Sequence, residues 1–341
     1  MPDLLRRCLL PLALALAAAT SAAQIPADGT AALPDKTAAL ARAQAAMVGV
    51  VSLAVEDAGS IASLGRVRQG SGVLIGDDGL VLTIGYLILE AERVDLLLDN
   101  GRVVPARVVA YDQASGFGLL QALAPLRIAP VRLGRADVAD LDEPLMVASG
   151  GDDGELSLAR LVSRRPFSGY WEYHLEQALF TVPARGDHSG AGLFNLDGEL
   201  VGIGSLVVSE ALGPAAGRLP GNLFVPVDLL PPILGELRSR GASRQSNRAW
   251  LGVNCAEAEG GVRVVRVTRD SPAERSGLQP GDRILRIDGT EVGALETFYK
   301  RLWKDAPERD VELVIRRGDE TQTLTVHTVD RMSTLRKPQG I

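Results

Sequence analysis

The chain has 341 residues, a formal net charge of −6 at pH 7, 46% hydrophobic residues and 23% charged residues. This length suits about two domains, and the composition is ordinary for soluble globular proteins with sizeable apolar cores. The negative net charge and the lack of a Lys/Arg-rich run exclude an electrostatic basis for binding nucleic acid or an anionic membrane.

The first 23 residues have the three parts of a secretory signal peptide. Two arginines, Arg6 and Arg7, form a basic start, and Leu9–Ala19 is an apolar stretch too short to span a bilayer. Small residues then provide a cleavage site before Gln24. We therefore expect an exported protein of the bacterial periplasm, without a membrane span once residues 1–23 are removed; an uncleaved anchor is the alternative.

The mature chain begins with an Ala-rich lead, residues 24–45, for which we expect one short helix. Over residues 46–238, short β-type runs alternate with turn signals, and Asn100-Gly101 is the strongest hairpin signal among them. Such closely spaced strands predict an all-β barrel or sandwich. Apolar positions on one face of Val227–Leu237 predict a helix that closes this module.

A second module follows a polar stretch. Residues 239–248 have the composition of a linker, residues 249–330 have the size of a small domain, and residues 331–341 form a tail. After signal removal Cys255 is the only cysteine, so no internal disulfide is expected. Core packing must therefore supply the stability, with Cys255 as a small packed residue.

The second module resembles a PDZ domain. Its segment Ser271–Ile284 is similar to the signature S-P-A-x-x-A-G-L-x-x-G-D-x-I and departs from it at Ser276, where Ala is usual. The resemblance implies a loop of backbone N–H groups that binds a peptide's terminal carboxylate, beside a strand that pairs with the peptide. The residues expected to form this loop are Trp250, Leu251, Gly252 and Val253. A helix near residue 295 carries Tyr299, which either walls the groove or packs in the core.

Three segments of the first module resemble the HtrA/Deg family of trypsin-like serine proteases. His188–Asn195 is similar to the nucleophile segment G-N-S-G-G-P-L-F-N. Gly70–Thr83 matches the run before the catalytic histidine, and Asp112–Leu120 matches the run that holds the catalytic aspartate. With the PDZ-like module, the resemblance covers nearly the whole mature chain. It implies a mainly β fold of two six-stranded barrels with a cleft between them, followed by the PDZ domain.

Of the catalytic residues that the resemblance implies, this chain has only the nucleophile, Ser189. Tyr86 stands at the histidine position, Gly116 at the aspartate position, and Asp187 at a glycine whose N–H belongs to the oxyanion hole. A tyrosine has an ordinary pKa of about 10, so it accepts a proton poorly at neutral pH. The serine is therefore expected to be a vestigial nucleophile with no intact catalytic set.

The histidine count leads to the same expectation without any alignment. The chain has only three, namely His174, His188 and His327. The base of this fold comes from the first barrel, yet no histidine precedes residue 174, and no lysine lies between Lys36 and Lys300. Zinc-binding H-E-x-x-H and phosphate-loop patterns are also missing, so neither a metal nor a cofactor is expected.

Three functions remain open from the sequence. The first is an exported pseudoprotease that binds unfolded proteins or polypeptides with free C-termini, as a scaffold or in chaperone-like quality control. The second is a regulatory subunit of an active HtrA-type protease. The third is an endopeptidase that uses Ser189 with a non-standard base. Family members form trimers through aromatic residues of the lead, but residues 24–70 contain none, so oligomerisation stays open.

Overall fold

The computed structural model describes residues 28–151, 154–258 and 261–336. The predicted signal peptide, residues 1–23, lies outside these residues. None of the helices in the described ranges has the length and the apolar character needed to cross a membrane. The predicted lead forms one helix, α1 (Asp28–Ala45), which ends directly before the first strand.

The first barrel contains six antiparallel strands and two four-residue helices. The strands are β1 (Met47–Ala54), β2 (Val67–Leu74), β3 (Leu80–Ile84), β4 (Ala91–Leu97), β5 (Val103–Tyr111) and β6 (Phe117–Ala122), and the helices are α2 (Ile61–Leu64) and α3 (Gly85–Ile88). The barrel closes in the order β1-β2-β3-β6-β5-β4. All five residues of β3 are buried, because this strand lies between β2 and β6 with its apolar side chains in the core. The hairpin predicted at Asn100-Gly101 joins β4 to β5.

The second barrel also contains six strands. They are β7 (Pro144–Ala148), β8 (Leu156–Gly169), β9 (Tyr173–Val182), β10 (Gly192–Phe194), β11 (Leu200–Val208) and β12 (Gly221–Pro226). They close in the order β10-β11-β12-β9-β8-β7. The predicted pair of six-stranded barrels is thus confirmed. The longest hairpin is β8–β9, and its turn contacts the C-terminal domain, where the Cys255 N–H donates to the Tyr170 carbonyl.

The helix predicted over Val227–Leu237 is wrong in its first half. A 3₁₀ turn covers Val227–Leu229, and the α-helix α4 begins only at Leu234 and ends at Arg240. Pro231 and Pro232 have no N–H to donate and interrupt the helix between the two pieces. Asp228 does not cap α4; its carboxylate accepts the N–H of Ala136 at 2.8 Å.

The predicted linker is packed against the first barrel. Asp112, fully buried after β5, accepts hydrogen bonds from Ser243 N–H at 3.0 Å and from Ser246 Oγ at 2.6 Å. Burial disfavours ionisation of Asp112, but hydrogen bonds from Ser115, Ser243 and Ser246 outweigh it and lower the pKa of this carboxyl. A buried carboxylate with satisfied acceptors therefore holds the predicted linker against the first barrel.

The C-terminal domain has its own apolar core, with Phe298, Tyr299 and Cys255 among its fully buried residues. Its strands are β13 (Ala249–Trp250), β14 (Val253–Ala258), β15 (Gly261–Val267), β16 (Arg283–Ile287), β17 (Thr290–Glu291), β18 (Asp310–Arg317), β19 (Glu320–His327) and β20 (Val329–Asp330), and its helices are α5 (Pro272–Arg275) and α6 (Leu295–Leu302). The main sheet runs β14-β15-β16-β18-β19, and β13 pairs with β20. Burial raises the pKa of the Cys255 thiol, as suits a packing residue.

Candidate functional site

Ser189 lies at the junction of the two barrels, in the loop before β10. The Ser189 carbonyl accepts the N–H of Ser71, on β2 of the other barrel, at 2.8 Å. Gly190 has a φ of 75°, and a Cβ added there would lie 1.9 Å from the Ser71 carbonyl oxygen. Only glycine fits that backbone position, so this residue keeps the serine loop tightly against the first barrel.

The hydroxyl of Tyr86 lies beside the serine. Helix α3 places it 2.8 Å from Ser189 Oγ and 2.7 Å from the carbonyl oxygen of Ser205 on β11. A phenol has a single proton to share between these two acceptors. Burial raises the pKa of Tyr86 to about 12, although the hydrogen bond with Ser189 acts in the opposite direction. The group beside Ser189 is therefore a neutral phenol at physiological pH.

Gly116 lies next to the tyrosine in the fold but offers no side chain. Its carbonyl accepts the N–H of Gly85, which directly precedes Tyr86, at 2.7 Å. Gly116 has a φ of 83°, and an added Cβ would lie 2.7 Å from the Tyr173 hydroxyl oxygen. That hydroxyl is fixed by donation to the Ser115 carbonyl at 2.7 Å. The structure thus brings together the three positions that the resemblance assigns to a triad, and Tyr173 occupies the space that a side chain at residue 116 would need.

Asp187 adds a negative charge just before the serine. Its carboxylate accepts hydrogen bonds from Arg185 and from the Ser149 hydroxyl. Burial disfavours its charged form, but these bonds outweigh burial and lower the pKa of the carboxyl. The neighbouring His188 has its Nδ1 atom 3.2 Å from the Arg185 carbonyl oxygen, which anchors the ring on the loop itself.

One group of residues has the spacing of a metal site. His174, Glu176 and Glu296 form the single such set found among residues 28–151, 154–258 and 261–336. The ammonium group of Lys300 already bridges its two carboxylates, at 2.8 Å from Glu176 and 2.7 Å from Glu296. Burial lowers the pKa of His174, so the imidazole stays neutral beside this ion-pair cluster.

The loop predicted to bind a peptide's terminal carboxylate instead binds a side-chain carboxylate of this same chain. The N–H groups of Leu251, Gly252 and Val253 donate to the two Glu172 carboxylate oxygens at 3.1, 2.8 and 2.9 Å. Gly252 has a φ of 86°, and an added Cβ would lie 2.3 Å from Ser271 Cβ. Glu172 is only 2% exposed. The fourth predicted residue, Trp250, pairs with β20 instead.

Sequence reasoning missed Glu172, which lies in the turn between β8 and β9. Its neighbours extend the contact: the Cys255 N–H donates to the Tyr170 carbonyl at 2.8 Å. The Tyr299 hydroxyl donates to the Gly169 carbonyl at 2.8 Å and accepts the Glu172 N–H at 3.2 Å. The two alternatives expected for Tyr299 both hold, because its ring packs in the core and its hydroxyl lines the groove. The one trace in the sequence is the aromatic run around Glu172 in a chain with 4% aromatic residues.

Two domain families match the chain in this order. A trypsin-like peptidase domain matches residues 70–203, and a PDZ domain matches residues 249–328. Both matches agree with the barrels and the C-terminal domain of the structure.

The curated relatives are named as serine proteases. The probable periplasmic serine endoprotease DegP-like of Hahella chejuensis is 29% identical over 266 residues, which cover 74% of this chain and 55% of the relative. Its counterpart in Halomonas elongata is 26% identical and covers 78% and 57%. Serine protease HTRA1 of Xenopus laevis is 24% identical and covers 76% and 59%. The chain thus spans about half the length of the curated relatives it matches.

Solved structures with a similar fold are also proteases of this kind. The solved structure of HtrA-type protease AlgW with decapeptide superimposes with a TM-score of 0.54 at 20% identity, over 89% of this chain and 99% of that one. A serine endoprotease from Yersinia pestis gives a TM-score of 0.52 over 86% and 97% of the two chains. The chain therefore joins a trypsin-like peptidase domain to one PDZ domain and is a homologue of the HtrA and DegP-like serine proteases.

Proposed function

We propose that this chain is an exported, periplasmic HtrA-like pseudoprotease that binds polypeptides through its PDZ domain, as a scaffold or in chaperone-like quality control. The observation that carries the proposal is the contact of Ser189 with the neutral phenol of Tyr86 at 2.8 Å. The names of the DegP-like relatives and the predicted signal peptide support the periplasm.

Peptide hydrolysis needs a group that takes the serine proton. A phenol whose pKa is about 12 holds its own proton at neutral pH, and its conjugate base is too scarce to act. Loss of the base in a serine protease costs about 10⁶ in kcat. Tyr173 leaves no room at Gly116 for the carboxylate that would orient a base.

The oxyanion side of the reaction is also disfavoured. The intermediate of acyl transfer carries a negative charge that backbone N–H donors must stabilise. Here an ionised carboxylate, Asp187, lies two residues before Ser189. The resemblance assigns this position to a glycine whose N–H belongs to the oxyanion hole, and here the Asp187 side chain is bonded to Arg185 and Ser149 instead. Deprotonation of Ser189 and stabilisation of the oxyanion therefore both lack the groups that usually provide them.

The PDZ domain, in contrast, retains the donors that peptide capture requires. Three convergent backbone N–H groups at residues 251–253 are arranged to hold a carboxylate, and β14 lies beside them. AlgW, a structural neighbour, was solved with a decapeptide and with a tripeptide. Binding of extended polypeptide is therefore the activity that this architecture supports best.

The test compares the wild-type chain from residue 24 with Ser189→Ala and Tyr86→Phe. Each protein is incubated with unfolded casein and, separately, with a fluorophosphonate probe that labels activated serines. We expect no hydrolysis and no labelling that depends on Ser189, together with equal casein binding by all three proteins. Labelling of Ser189 that Tyr86→Phe abolishes would instead establish an endopeptidase with Tyr86 as its base. Absence of casein binding would reject the polypeptide-binding role.

A further inference from the structure

We propose that the β8–β9 turn, residues 169–173, is an internal ligand of the PDZ groove. The Glu172 side-chain carboxylate takes the place of a peptide's terminal carboxylate, so an incoming chain end has to displace this turn before it can bind. The inference rests on the proposed function, because it names what regulates access to the same groove.

The first support is the set of donors around the carboxylate. Both oxygens of Glu172 are used, one by Leu251 and the other by Gly252 and Val253. A carboxylate that is 2% exposed would be strongly destabilised without such partners. Three consecutive N–H groups directed at one point form an anion-binding concavity. Glu172 therefore satisfies donors that would otherwise require water or another anion.

The second support is the register of the backbone contact. In strand addition, a ligand pairs with the receptor strand through alternate residues. On β14, Val253 donates to the Glu172 side chain and Cys255, two residues later, donates to the Tyr170 carbonyl. Tyr170 likewise precedes Glu172 by two residues. The turn thus follows the spacing of an added strand that ends in a carboxylate.

The third support is the opposite wall of the groove. Tyr299, fully buried on α6, is bonded to the Gly169 carbonyl and to the Glu172 N–H. Glu172 adopts a φ of 59°, which a non-glycine residue rarely takes and which directs its side chain into the loop. Both walls of the groove therefore contact the same short turn.

The turn is also placed so that it can be released. Tyr170 is 60% exposed, so its side chain is not locked in the groove. Trp171 stacks on Tyr173, at 5.6 Å between ring centroids, within the hairpin rather than in the PDZ core. Within the groove, hydrogen bonds hold Tyr170 and Glu172, and a chain end with a free carboxylate can form equivalent ones. A competing ligand is therefore an extended peptide with a C-terminal carboxylate.

The experiment uses the chain from residue 24 as wild type, Glu172→Ala and Glu172→Gln. Gln177→Ala is the matched control, because Gln177 is an exposed residue of the same hairpin outside the groove. Amide hydrogen exchange at residues 251–255 reports the contact without any peptide. Fluorescence anisotropy then measures binding of a labelled decapeptide with a free apolar C-terminal residue, beside the same peptide amidated. Circular dichroism checks folding, and Glu172→Gln preserves side-chain size if Glu172→Ala does not fold.

We expect the amides of residues 251–255 to exchange at least about tenfold faster in Glu172→Ala than in wild type. The same variant should bind the free-carboxylate peptide at least about tenfold more tightly than wild type. Glu172→Gln should be intermediate, Gln177→Ala should be unchanged, and binding of the amidated peptide should be weak throughout. Unchanged exchange in both Glu172 variants would overturn the internal ligand. Faster exchange with equal peptide affinity in variant and wild type would overturn the displacement. Faster exchange without peptide binding by any variant would uphold the internal ligand and contradict the proposed polypeptide binding.

Discussion

The Ser189 cleft and the PDZ groove are both filled by side chains of this chain, but they depend on different chemistry. In the cleft, the Tyr86 phenol contacts the Ser189 hydroxyl at 2.8 Å. In the groove, the Glu172 carboxylate accepts three backbone N–H groups. A triad works through side chains, so single substitutions remove it. A carboxylate loop works through the main chain, which every non-proline residue supplies.

The difference predicts how each site responds to change. In the cleft, the three positions that the resemblance assigns to a triad lie together and hold Tyr86, Gly116 and Ser189, and Tyr173 fills the space beside Gly116. The groove contains the correct groups and is occupied by an exchangeable ligand. Restoring hydrolysis in the Ser189 cleft therefore needs several coordinated substitutions, whereas opening the PDZ groove needs only one.

The largest expected effect comes from an attempt to rebuild the triad with Tyr86→His and Gly116→Asp. The aspartate would have its Cβ 2.7 Å from the Tyr173 hydroxyl, at a backbone φ of 83°. Asp187 would still replace the glycine that the resemblance assigns to the oxyanion hole, and loss of oxyanion stabilisation alone costs about 10²–10³ in kcat. We expect casein cleavage by the double variant to stay at least about 10³-fold below that of an active HtrA-type protease.

Tyr86→His alone is the control, since it should fold normally and remain inactive. Adding Asp187→Gly and Tyr173→Phe to the double variant removes the charge and the obstructing hydroxyl, so activity should rise in that quadruple variant. Full activity of the double variant would show that only the two triad side chains are missing from the cleft and that Tyr173 and Asp187 do not prevent hydrolysis.

A smaller effect is expected from Gly252→Ala in the groove. The new Cβ would lie 2.3 Å from Ser271 Cβ, at a φ of 86°. Conformational strain and the clash should together lower the free energy of unfolding by about 2–4 kcal/mol and weaken binding of free-carboxylate peptides. Chemical denaturation followed by tryptophan fluorescence measures the first, and anisotropy measures the second.

Gly281→Ala provides the matched control for this substitution. Gly281 also has a positive φ, 97°, but an added Cβ would meet open space. It should therefore show the conformational cost alone, roughly 1–2 kcal/mol, and retain peptide binding. Equal losses in both variants would mean that the loop at Gly252 tolerates the extra carbon and that the groove is less dependent on close backbone approach.

The sequence predicted the parts of the molecule that carry local patterns. Alternating apolar runs and the Asn100-Gly101 turn predicted the barrels, and the segments around Tyr86, Gly116 and Ser189 do meet in the fold. Glu172 escaped prediction because its partners lie 79 to 81 residues away and donate through the backbone, which leaves no pattern of side chains. The helix over Val227–Leu237 failed because the proline pair outweighed the apolar periodicity.

The smallest expected effect concerns the pH dependence of the docked turn. Burial raises the pKa of Glu172 to about 6, although hydrogen bonds from the 251–253 amides and the charge of Arg331 act in the opposite direction. Cys255 and Tyr299 also face this carboxylate, and burial raises the pKa of both, so they stay neutral in this range. A released Glu172 has its ordinary pKa of about 4.3. The docked form therefore binds a proton more tightly than the released form.

Proton uptake on docking means that acidification favours the docked turn. Between pH 7 and pH 5, protection of the Leu251, Gly252 and Val253 amides should rise by roughly five- to tenfold once the intrinsic pH dependence of exchange is removed. Glu172→Gln has no such proton and should show a flat profile over the same range. Protection that instead falls on acidification in wild type, and not in Glu172→Gln, would mean that the three N–H donors outweigh burial and that the charged carboxylate is the preferred ligand. In that case the groove would open, rather than close, as the surroundings become acidic.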